Sequence, residues 1–96
     1  MYVIVIQAVH SIAAVAWEFE SFGPRYTSLR SAVHDAGRVA AAAGPGVNLL
    51  GVYELERPAV DSDTGAVIPG YWWARRQERQ LGGFGRGPLE LIRHWN

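Results

Sequence analysis

The residues best suited to contact a partner fall in one stretch, Tyr71-Trp72-Trp73-Ala74-Arg75-Arg76-Gln77-Glu78-Arg79. Aromatic rings beside guanidinium groups serve two kinds of recognition. Rings stack on bases while arginine pairs with phosphate, as in single-stranded nucleic-acid binding. Trp, Tyr and Arg also carry a disproportionate share of the energy of protein interfaces. If the stretch is a strand, alternation gives Arg76 the face of Trp72, and gives Arg75 and Arg79 the face of Tyr71 and Trp73. The plainer reading is a core strand with a charged end, Arg75 and Arg76 pairing with Glu54 and Glu56 of a neighbour. Tyr71, Trp72, Trp73, Arg75, Arg76 and Arg79 are the candidate interaction residues. Arg86, inside Gly83-Phe84-Gly85-Arg86-Gly87-Pro88, is a candidate anion contact. A cation just ahead of a helix N-terminus is unfavourably placed, and a bound anion would relieve it.

Other chemistry is weakly written. Asp63-Thr64-Gly65-Ala66 resembles the catalytic triplet of the retroviral-type aspartic proteases, in which two such Asp, one per subunit, share a proton. The likeness covers four residues. Asp61-Ser62 leads into it where that family has an apolar strand, so no family membership is claimed. Asp61 and Asp63 have the first spacing of a calcium loop, but Gly65 is one position early and Trp72 stands where the bidentate Glu belongs. The segment 83–88 lacks the Lys-Ser/Thr of a P-loop. His10, His34 and His94 show no zinc spacing, and His34 and Asp35 are adjacent on a helix rather than on one face of it. The expectation is no catalytic residue, no metal and no cofactor. A small enzyme with an Asp- or His-based site remains as an alternative.

The chain has 96 residues, 49% hydrophobic and 19% charged, with four Trp, four Tyr and three Phe. That length suits a single domain over 1–96 with an adequate but not generous core. No Cys is present, which excludes disulfides and thiolate metal sites. Every basic side chain is Arg, and Ala, Gly and Val are abundant, which reads as GC-rich coding in a bacterium or phage. The net charge is zero, so no overall field draws in nucleic acid or membrane. Residues 1–70 carry four Arg against seven acids, and residues 71–96 five Arg against two. Any anionic partner would therefore meet the C-terminal quarter. Met1 to Trp17 is uncharged, and Ala14-Val15-Ala16 has the look of a leader cleavage site. No basic residue precedes it, and Gln7, His10 and Ser11 interrupt it, so targeting is not favoured and a cytoplasmic location is expected.

The pattern predicts elements in β-β-α-β-β order. Tyr2 to Val9 is a buried strand. Val15 to Glu20 alternates, with Val15, Trp17 and Phe19 inward and Glu18 and Glu20 outward. A helix runs from about Ser28 to Ala43, capped by Thr27 or Ser28, with an Ala-rich apolar stripe, and Gly44-Pro45-Gly46 ends it. Val47 to Glu56 and Tyr71 to Arg79 are further strands, separated by a turn-forming loop over 57–70. Residues 80–88 read as a flexible Gly-rich linker, after which Pro88 opens a short terminal helix. The expected fold class is α+β, a small antiparallel-type sheet with one long helix on one face and a short C-terminal helix. Such a sheet is apolar on both sides: Leu49/Leu50, Trp72/Trp73 and Val3 to Ile6 send bulky groups each way. One helix covers one side. The leading expectation is thus a non-enzymatic protein-interaction module, homodimeric or binding another protein through the uncovered aromatic face, such as a phage-encoded regulator, inhibitor or virion accessory. Single-stranded nucleic-acid binding through the Arg and aromatic segment is the alternative.

Overall fold

The computed structural model describes residues 1–10, 16–42 and 47–95; the side chains of 8–10, 16–18, 22 and 47 also lie outside the description. The described residues form five strands and one helix: β1 (Tyr2–His10), β2 (Ala16–Phe22), α1 (Leu29–Ala42), β3 (Val47–Val60), β4 (Val67–Gln80) and β5 (Gly83–Trp95). The strands close into a barrel in the order β1-β2-β5-β4-β3, with β3 returning to β1. All pairs are antiparallel except β2 with β5.

This corrects the expected α+β sheet with a long helix on its face and a short helix at its end. The molecule is a closed, mostly β barrel with one short helix. The segment read as a linker and terminal helix is the continuous strand β5. Its glycines let strands approach rather than supplying slack. A Cβ on Gly87 would stand 3.3 Å from the Arg76 carbonyl oxygen, and one on Gly85 would run into the Gln80 side chain. Past Pro88 the residues alternate: Ile92 and His94 are buried while Leu91 and Trp95 are exposed, the period of a strand and not of a helix. Strands also reach into the expected loop over 57–70. Pro58 and Pro69 lie inside β3 and β4, and only 61–66 form the turn.

Closure divides the side chains in two. The barrel interior is built on Val3, Val5, Tyr53, Ala74 and Ile92, with Phe19, Leu50, Leu55 and Trp72 packed against them. Outside the barrel, Ala32 and Ala36 of α1 seat the helix on Ile4 and Val52 of β1 and β3. The Ala stripe explains this seat, since small side chains let a helix lie close to a sheet. Ser28 caps the helix as expected, its Oγ accepting from the Ser31 amide at 3.3 Å. Gly51, at φ 139, takes up the irregularity where β1 and β3 change register between Val5 and Ile6, a backbone conformation that favours glycine. The Arg76 chain lies over it, with Cδ 3.5 Å from where a Cβ would sit. The expected helix terminator 44–46 and Val15 fall outside the described residues, and of Trp17 only the backbone is described.

Candidate interaction face

Alternation along β4 sends Ala74 and Trp72 into the barrel, so Tyr71, Trp73 and Arg75 point out. On β5 the same logic turns Leu89, Leu91, Arg93 and Trp95 outward, because Ile92 is core. Register then joins the two rows: Tyr71 faces Arg93, Trp73 faces Leu91 and Arg75 faces Leu89. The Arg93 guanidinium lies 3.5 Å from the centre of the Trp95 ring and 5.6 Å from that of Tyr71. Beneath it, the Trp95 indole donates to the Glu20 carboxylate at 3.2 Å, and Glu20 is 1% exposed. The result is an outward aromatic face with a flat cation at its centre. The helix packs on β1 and β3 and leaves this side of the barrel uncovered. Leu91 is 45% and Trp95 37% exposed.

The face continues into a projecting arm. β3 and β4 run on past the end of β5 as a hairpin carrying exposed Val60, Val67 and Ile68. Its turn is tied by Asp61, whose Oδ1 accepts from the amides of Asp63 and Thr64 at 2.8 and 3.1 Å. This explains the Asp-Thr-Gly run without chemistry: Asp61 builds the turn, and Gly65 takes its φ of 72.

The residues singled out from the sequence do not form one site. Tyr71 and Trp73 lie on the outward face. Trp72 lies inside the barrel wall with the Arg25 guanidinium 4.9 Å from its ring centre. Arg75 contacts Glu56 at 3.4 Å and donates to the Gly87 carbonyl at 3.2 Å. Arg86 pairs with Glu54 and with Glu56, the latter at 3.1 Å. Arg76, lying over Gly51 of β3, pairs with Glu78 at 3.6 Å rather than with Glu54 or Glu56. Arg79 stacks over Phe84 at 5.7 Å, near the helix. The contributions of Leu91, Arg93 and Trp95 escaped the sequence reading. The sequence carried little signal for them: in Leu89-Glu90-Leu91-Ile92-Arg93-His94-Trp95 apolar and polar residues do not alternate, because the inward row is Glu90, Ile92 and His94.

Polar groups also enter the barrel. Burial first, and interaction with Glu90 second, raise the Tyr53 pKa above the ordinary tyrosine value. Ser21 and His94 are register partners across β2 and β5. Both are buried, and neither Ser21 Oγ nor His94 Nδ1 has a hydrogen-bond partner among the described residues. Burial, then the Arg25 charge, lowers the His94 pKa. On α1, His34 and Asp35 do approach despite their adjacency, Nδ1 to Oδ1 at 3.6 Å. The Asp35 carboxyl also accepts from the Tyr26 hydroxyl at 2.9 Å, which holds its pKa down. No group of three His, Asp or Glu stands in metal-binding proximity among the described residues. No described helix is long and apolar enough to cross a membrane.

Compared with protein-family models, with curated proteins and with solved structures, the chain matches none.

Proposed function

We propose that this chain is a non-enzymatic protein-interaction domain that pairs with a second copy of itself through the outer face of β4 and β5. The observation that supports it is the uncovered row Tyr71, Trp73, Leu91, Arg93 and Trp95, on the side of the barrel away from α1. A closed barrel has already satisfied its strand edges, so apolar surface left on its outside is not needed for sheet formation. Two features favour a second copy as the occupant. The face is self-complementary, because a two-fold contact sets the guanidinium of one protomer against the aromatic rings of the other. Equal numbers of acidic and basic residues also leave two copies without net repulsion.

The nucleic-acid reading has less behind it. Arg75 and Arg86 are engaged by Glu54 and Glu56, and a neutralised arginine releases few counterions from a phosphate backbone.

Light scattering across a concentration series tests the proposal. The expected result is a dimer that Trp73→Ala dissociates while circular dichroism and melting stay unchanged. An interface tryptophan of this kind is worth about 2 kcal/mol or more. Leu91→Asp provides a second route to the same outcome. A monomer at every concentration, or a Trp73→Ala protein that stays dimeric, would overturn the reading.

A further inference from the structure

At the other end of β4 and β5, the first turns of α1 and the end of the β4–β5 hairpin leave a groove of about 330 Å³. Its lining comprises Leu29, Arg30 and Val33 from the helix and Arg79 and Phe84 from the hairpin. The chemistry is of two kinds. Leu29 and Val33, one helical turn apart, give an apolar wall. Phe84, 42% exposed, faces Arg79 across the hairpin and gives an aromatic one. The rim carries two guanidinium groups. Arg79 rests on the Phe84 ring, and neither it nor Arg30 makes an ion pair among the described residues. The first turn of α1 contains no acid to answer them. This contrasts with Arg38, Arg75, Arg76 and Arg86, each within 4 Å of a carboxylate.

We infer that this groove binds a small anionic amphiphile, with its apolar chain or ring between Leu29, Val33 and Phe84 and its anionic head between Arg30 and Arg79. The volume lies at the lower end of ligand sites, which range from about 300 to 1,000 Å³. Charge complementarity selects the class of occupant. A neutral apolar molecule would leave both cations unanswered, and a hydrophilic anion would leave Phe84 and Leu29 in water. Arg79 is well suited to the role, because its planar guanidinium, over the Phe84 ring at 5.7 Å, offers a fork of donors to a carboxylate or phosphate head. The site is separate from the aromatic face and does not depend on it.

Calorimetric titration of the intact chain with decanoate, decyl phosphate and decanol, all below their micelle concentrations, tests the inference. Decanoate or decyl phosphate should bind one to a chain, with decanol weaker by about tenfold or more, since charge-assisted hydrogen bonds carry that much. The stronger of the two anions identifies the head group. Binding should weaken with salt. The double variant Arg30→Gln/Arg79→Gln should lose about tenfold or more in affinity, while Arg38→Gln, outside the groove, should not. Phe84→Ala should weaken all three ligands together. The inference is overturned if decanol binds as tightly as the anions, or if the double variant binds decanoate like the wild type. It is equally overturned if the chain ignores monomeric amphiphiles and associates only with phosphatidylglycerol vesicles.

Discussion

Burial first, and the Arg25 charge second, hold His94 below its ordinary value of 6.5. The unfolded chain takes up a proton near that value and the folded chain resists it. The stability that depends on neutral His94 is therefore fully present above pH 6.5 and is lost as pH falls below it. A single site of this kind gives at most about 1.4 kcal/mol per pH unit. Urea denaturation at pH 7.5 and 5.0 should show a drop in midpoint for the wild type and a smaller one for His94→Gln. Its partner Ser21 makes the opposite kind of prediction. The buried hydroxyl has no hydrogen-bond partner among the described residues, so Ser21→Ala should be neutral or slightly stabilising in the same assay. Tyr53→Phe should cost about 0.5–1.5 kcal/mol, the net worth of an ordinary hydrogen bond, because it removes the buried hydroxyl that interacts with Glu90. These pairings were not legible in the sequence. Ser21 meets His94, and Tyr53 meets Glu90, only after strands distant in the chain have paired.

At the scale of elements, what could be read depended on whether a pattern was local. The helix emerged nearly whole, because its Ala stripe, its Ser28 cap and its 3.6-residue period are properties of adjacent residues. β1 and β2 were legible as strands from β-branched runs and alternation, but the alternation put Glu20 outward, whereas the structure buries it beneath Trp95. β5 was not legible as a strand. Gly-x-Gly-x-Gly reads as slack and Pro88 as a helix start, whereas both are consequences of what lies across the ladder. Gly87 leaves room where the Arg76 backbone carbonyl presses close. Gly87→Val should therefore cost about 1–3 kcal/mol by forcing β4 and β5 apart, visible as a lower melting temperature. A Gly in a true linker would tolerate the change. The same pressure operates at the helix seat. Ala32 is fully buried between α1 and the β1–β3 wall, so Ala32→Leu should destabilise by a similar amount.

Across the molecule, the excess of apolar surface visible in the sequence survives, but its location differs from the expectation. A flat sheet would have had two faces to hide. Curling the sheet turns one face into the barrel core and leaves the exposed remainder on the outside, Leu91 and Trp95 on the side away from α1 and Phe84 beside it. Trp72 and Trp73 illustrate the outcome: one indole lies against the core and the other on the outer wall, as alternation required. The excess of positive charge in residues 71–96 survives in a weaker form, since β3 brings Glu54 and Glu56 to Arg75 and Arg86. Closure could not be read because it is a property of strand order. Nothing near residue 20 announces that residue 93 will pair with it.

That last pairing bears on how the chain folds in time. The hairpin of β1 and β2 and the meander of β3, β4 and β5 each join near neighbours. The parallel seam joins Glu20, Ser21 and Phe22 to Arg93, His94 and Trp95, and it closes nearly the longest loop the chain can make. Contacts of high sequence separation are slow to form, and they repay their entropic cost only once everything between them is in place. Folding in milliseconds to seconds is the expectation for such a topology. The seam should be the last part of the wall to gain amide protection during refolding and the first to exchange in the native state, which pulsed hydrogen exchange at residues 20–22 and 93–95 would read directly.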